Sequence, residues 1–149
     1  YKRNCDKKYV NVVVMAIEMP DGSIVTGRSS RRMVAAGAAV LNAIKKTAGI
    51  PDDLYMIAPN VFGSIQDLKG DILHYDRTSL NLEEVLTALT ISAENNSCAE
   101  KAVKMLEKLN GCKAHCTAIL SERDEQVLRS MGIDVTCDPE YLTTNLYLS

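Results

Sequence analysis

The chain has 149 residues, 46% hydrophobic and 24% charged, a composition that supports one buried core and excludes a disordered chain. Its net charge is −2, so no global cationic field holds nucleic acid or an anionic membrane. No apolar run reaches the roughly 20 residues of a bilayer span, and with no Trp and one Phe there is little for stacking bases.

Five cysteines at irregular spacings (Cys5, Cys98, Cys112, Cys116, Cys137) do not form a paired secreted framework. Reduced thiols in a cytoplasmic protein are the expectation, with free Cys packing as a small hydrophobe. The first residue, Tyr1, is not Met, which reads as a fragment or an excised domain.

Residues Val10 to Pro20 form an apolar run rich in Val, Met and Ile, closed by Pro20-Asp21-Gly22. A strand and a tight turn follow from that pattern. Ser23 to Gly27 supplies the second strand of a hairpin.

From Ser30 to Ala48 the period becomes helical through Met33, Gly37, Val40, Leu41 and Ile44. Ser29 or Ser30 offers an N-cap hydroxyl, Lys45 and Lys46 suit the negative end, and Gly49 with Pro51 ends the helix. Leu54 to Ala58 reads as a short buried strand. Asn60 to Leu68 reads as a short helix ended by Gly70, and Gly70 to Ser79 as a loop.

Two helices come next. Asn81 with Glu84 opens the first, which runs to about Ala93; Ser97 with Glu100 has capping-box spacing for the second, which ends at Asn110-Gly111. Lys113 to Leu120 is then a strand, Ser121 with Asp124 a cap, Glu125 to Met131 a helix stopped by Gly132, and Ile133 to Cys137 a strand. That is a βαβ unit. The tail from Asp138 to Ser149 carries no period. The order ββαβαααβαβ specifies an α/β fold, a mixed sheet with helices packed on it, led by a hairpin and closed by βαβ. No internal repeat or linker divides it, so residues 1–149 read as one domain.

Five segments carry a resemblance: PDGSIVTGRSS from Pro20, LNAIKKTAGI from Leu41, EVLTALTISA from Glu84, GCKAHCTAILS from Gly111 and MGIDVTCDP from Met131. In this order and spacing, from Val12 to Tyr141, they resemble the C-terminal domain of the bacterial proteins of domain-of-unknown-function family 1846. The resemblance implies a longer protein whose preceding part holds a Gly-rich, Lys-ending segment similar to a phosphate-binding loop. Any nucleotide would then be held by that part, and this chain carries no cofactor of its own. The chain departs from the family's pattern at Cys116, where Ser is expected, and in its Cys5-containing start.

The stretch Gly27, Arg28, Ser29, Ser30, Arg31 and Arg32 is the leading candidate site. Placed at a helix start, it would offer free N–H donors, hydroxyls and guanidinium groups to a phosphate or carboxylate. Ordinary capping beside solvated arginines is the plainer reading. It is neither a Walker loop nor a dinucleotide fingerprint.

Cys112, His115 and Cys116 are compact enough to suggest zinc, but on a strand His115 and Cys116 face opposite ways and no fourth ligand follows. No metal is expected. His115 is a weak catalytic candidate, with a hydrogen-bonded strand histidine as its alternative. Asn95, Asn96 and Ser121 are weaker site candidates that turn and cap geometry already explains. No nucleophile elbow and no paired-carboxylate spacing is present.

The expected partners are a small anionic metabolite, the protein's own N-terminal domain and a second copy of the chain, with neither nucleic acid nor membrane. The small residues Ala35 to Ala39 would let a helix pack against its twin.

Overall fold

The computed structural model describes residues 12–138. Cys5, the start of the first apolar run and all but the first residue of the tail lie outside them.

A four-stranded sheet has the order β2-β1-β3-β4, with β1 Val14–Glu18, β2 Ile24–Arg28, β3 Lys113–Cys116 and β4 Asp134–Cys137. β1 is antiparallel to both β2 and β3, while β3 and β4 are parallel. Three strands thus point one way and β1 opposes them. The mixed sheet, the leading hairpin and the closing βαβ unit are as the sequence indicates.

Alternation assigns the two faces. Met15, Ile17, Val25, Ala114, Cys116 and Val135 turn to the covered face and are buried. Ile24, Thr26, Lys113, His115, Asp134 and Thr136 lie on the other face and are exposed.

α1 (Ala35–Ala48) crosses the covered face against β2 and β1. Gly27 makes this possible: a Cβ there would lie 2.1 Å from the backbone nitrogen of Ala39. The outer side of α1 meets α3 (Leu82–Ser92) and α4 (Ser97–Lys104). α2 (Pro59–Asp67) precedes them, and α5 (Glu122–Ser130) is the crossover between β3 and β4. Ala35, Ala36, Gly37 and Ala39 are all buried, so the small-residue face packs inside this chain and is not free for a twin.

Several boundaries differ from the sequence reading, each for a local reason. α1 begins at Ala35, not near Ser30, because residues 32–34 are held extended. The Arg32 carbonyl accepts from Leu80 N–H (2.8 Å), the Val34 N–H donates to the Leu80 carbonyl (2.9 Å), and Met33 pairs with Leu80 as a parallel bridge. Val34 is the N-cap, and no side chain caps this end. The C-terminus is as expected: Gly49 adopts φ 72°, and Lys45 and Lys46 occupy the last turn.

Leu54 to Ala58 is not a strand. Leu54 N–H turns back to the Pro51 carbonyl, and the Tyr55 carbonyl accepts from the Asn96 amide (3.0 Å). Only Met56 and Ile57 reach the core; Leu54 and Tyr55 stay exposed.

Gly70 does not end the helix before it. The chain widens into a π-turn over Leu68–Ile72, closed by Leu73 N–H to the Leu68 carbonyl (2.9 Å). Asn96, not Ser97, caps α4, accepting from Cys98 and Ala99 N–H. β3 stops at Cys116, where the Thr117 hydroxyl takes over the ladder by accepting from Val14 N–H (3.0 Å).

Candidate functional site

β2 and β3 end at the same edge of the sheet, and from that edge the chain passes to the N-termini of α1 and α5. α3 starts there too, because Leu80 is bridged to Met33. Three helix N-termini therefore meet at the carboxyl ends of two strands, the place where open α/β sheets gather ligands.

A cavity of about 490 Å³ lies among them, and Ser29, Ser30, Ala35, Ala36, Lys69 and Arg77 form the part of its wall that matters chemically. Ala35 and Ala36 are 3% and 0% exposed. Among the described residues, neither a carbonyl nor a side chain accepts from their backbone N–H groups.

Opposite stands Lys69, drawn inward by the π-turn and only 7% exposed. Its ammonium donates to the Ser79 carbonyl (2.8 Å) and to Glu84 Oε1 (2.7 Å), two of its three N–H groups. Glu84 in turn completes the capping box of α3 with Asn81.

On the far side, the Ser121 hydroxyl accepts from Asp124 N–H (3.1 Å), and Asp124, 4% exposed, accepts from Leu82 N–H (3.0 Å). Arg123 grips Glu83 through both carboxylate oxygens (2.7 and 2.9 Å) and closes the rim.

A shallower cavity of about 500 Å³ adjoins the first across Ser30, Arg77 and Ser79. Its own lining includes Arg31, Asp67, Asp71 and Thr78.

A family model described as "Domain of unknown function DUF1846, C-terminal" matches residues 2–147. The chain belongs to this family. A UPF0371 protein of Clostridium botulinum (strain Eklund 17B / Type B) is 49% identical over 134 residues, covering 90% of this chain and 27% of that protein. UPF0371 proteins of the Alaska E43 (Type E3) and Langeland (Type F) strains are each 48% identical with the same coverage. The chain thus spans about a quarter of the length of the curated relatives it matches.

In this DUF1846 C-terminal domain the residues singled out from sequence fall in different places. Ser29 and Ser30 line the inner cavity and Arg31 the outer one. The Ser29 hydroxyl accepts from Val13 N–H and the Ser30 hydroxyl from Arg32 N–H. Arg28 lines neither cavity, and Arg32 lies over the Phe62 ring, 5.7 Å from its centroid. Gly27 serves the packing of α1.

The helix start is at Ala35 and not beside Arg28–Arg32, and Lys69, Arg77 and Arg123 are the cations that line the cavity next to it. Neither Lys69 nor Arg77 stands in a motif. A lone inward Lys on a π-turn leaves no periodic mark in the sequence.

His115 sits on the sheet face opposite the helices, away from both cavities. Its Nδ1 is 2.6 Å from Thr136 Oγ1 and its Nε2 is 3.0 Å from Asp138. Cys116 points the opposite way, into the core. No group of three or more His, Cys, Asp or Glu among the described residues is placed to hold a metal ion.

Asn95 lies in the turn after α3, and Asn96 is spent on the α4 cap and on Tyr55. Burial pushes the thiols of Cys112 and Cys116 up from their ordinary value. No described helix is long and apolar enough to cross a membrane.

Proposed function

We propose that this domain binds a small anionic metabolite, one carrying a phosphoryl or carboxylate group, in the inner cavity. The reading is carried by one observation: the buried first turn of α1, which no side chain caps, lines the same cavity as Lys69 and Arg77. Inward N–H groups and flanking cations stabilise an anion, because each charge-assisted hydrogen bond is stronger than a neutral one.

The role is binding or regulation within a longer cytoplasmic bacterial protein. Among the described residues no nucleophile, base and oxyanion donor converge in this cavity, and in this reading chemistry on the ligand, and any nucleotide, is assigned to the rest of that protein. The odd number and irregular spacing of the cysteines fit a cytoplasmic setting.

The test is thermal denaturation in the presence of inorganic phosphate. A ligand that binds only the folded state raises the melting temperature with its concentration. Arg77→Ala should weaken phosphate binding about tenfold, while Arg28→Ala should leave it unchanged. Equal loss in both variants, or no shift with phosphate at millimolar concentration, would overturn the reading.

The alternative of an assembly domain draws no support from the small-residue face of α1, which is filled by β2 and by Val85 of α3. Sedimentation as a monomer at micromolar concentration would remove it.

A further inference from the structure

We propose that the exposed apolar ridge over Leu68–Tyr75 is a docking surface, and that its occupant is the part of the longer protein that precedes this domain. The proposal goes beyond the anion reading and stands without it.

The ridge is apolar on its solvent side. Leu68 and Leu73 are each 45% exposed, Tyr75 55% and Ile72 67%, and every residue from Asp71 to Arg77 is exposed. Four large hydrophobic side chains left outside the core in one short segment mark an interaction site. The segment is also held in shape. Leu73 N–H donates to the Leu68 carbonyl (2.9 Å) and Tyr75 N–H to the Lys69 carbonyl (2.8 Å), while Lys69 is anchored to Ser79 and Glu84. His74 is kept at φ 57°, a left-handed conformation that costs a non-glycine residue energy. The surface is preformed, so covering it orders little.

Two observations say what covers it. The chain spans 27% of a relative such as the Eklund 17B protein, and the matching model is described as C-terminal, so the greater part of such a protein precedes this domain. That part arrives at the start of β1, where Val14 pairs with Arg28 at the end of β2 and Met15 with Cys116 at the end of β3. Val13, just before β1, lines the same cavity as Lys69 of the ridge and the exposed Ile119. The incoming chain and the ridge thus lie on one side of the domain.

A second copy fits less well. A stable dimer needs roughly 800 Å² from each partner, more than one short segment supplies. A partner on the same chain needs less, because its effective concentration is about millimolar.

The experiment is hydroxyl-radical footprinting, read by mass spectrometry, of this chain alone and of the longer protein carrying it. Leu68, Ile72, Leu73 and Tyr75 should be labelled severalfold less in the longer protein. Ile72→Asp with Tyr75→Asp should lower the melting temperature of the longer protein by about 5 °C. The same pair should leave the chain alone unchanged, since neither side chain is in its core. Equal labelling in the two proteins, or a double variant that lowers both melting temperatures alike or neither, would overturn the proposal. Protection already present in the chain alone and lost on dilution would assign the ridge to a second copy and overturn it equally.

Discussion

The carboxylate of Asp124 accepts a hydrogen bond from the backbone N–H of Leu82 at 3.0 Å, across 42 residues of sequence. One side chain thereby joins the first turns of α5 and α3 and fixes the angle at which both meet the cavity. Its own helix is capped separately by Ser121.

Removing this acceptor leaves a buried N–H unpaired. Asp124→Ala should therefore cost about 2 kcal/mol of folding stability, and Asp124→Asn, which keeps an acceptor oxygen, roughly half of that. Urea denaturation of the three proteins measures the order. An alanine variant as stable as the parent would show that the contact is not a structural tie.

Lys69 and Glu84 offer a different test, because each has more than one partner. Lys69→Met strips a buried donor from both Glu84 and the Ser79 carbonyl and should destabilise by about 3 kcal/mol. Glu84→Gln retains much of the capping box and should cost less. The double variant should fall short of the sum of the two by roughly 1 kcal/mol or more. Strict additivity in the denaturation midpoints would mean that the pair is not coupled.

Gly27→Ala places a methyl group 2.1 Å from the Ala39 nitrogen, a backbone atom that cannot turn aside. The expected cost is about 3 kcal/mol, at the upper end for overpacking. Circular dichroism melting of this variant, with phosphate titrated in parallel, separates the packing role from a ligand role. The melting temperature should fall, while phosphate affinity per folded molecule stays the same.

Cys116 gives a pH dependence of known sign. Its folded thiol is held above the ordinary range mainly by burial, and more weakly by the nearby Cys137. Below the unfolded value both states are protonated, and the contribution is intact. As pH rises through the unfolded value towards the folded one, the unfolded chain loses its proton first and stability falls. The parent should thus lose stability above about pH 8.5, and Cys116→Ala should flatten that limb. In native protein a thiol reagent should modify the partly exposed Cys98 before the fully buried Cys116.

Periodicity and caps were enough for the hairpin, for α1 past its first turn and for the βαβ unit, because these depend on residues close in sequence. Asn81 with Glu84 and Ser121 with Asp124 act as caps in the folded chain as their spacing indicates. The local pattern does not hold where a group distant in sequence decides the outcome. Leu80 holds residues 32–34 out of the helix, and the Asn96 amide takes the Tyr55 carbonyl.

The site was legible only where it coincides with the Ser29–Arg31 turn. Lys69, Arg77, Ser79 and Arg123 come from separate loops and helix ends, and only the closed fold gathers them. Gly27, which the sequence groups with the candidate site, lies where the α1 backbone makes its close approach to β2.

The bridge between Met33 and Leu80 also governs how the site moves. Arg32, Val34 and Leu80 share consecutive rungs, so separating residues 32–34 from Leu80 would break both hydrogen bonds at once. Amide hydrogens of Val34 and Leu80 should accordingly exchange as one cooperative unit. On the proposed reading, a ligand would meet walls already tied to one another, and little of its binding energy would go to ordering a loop.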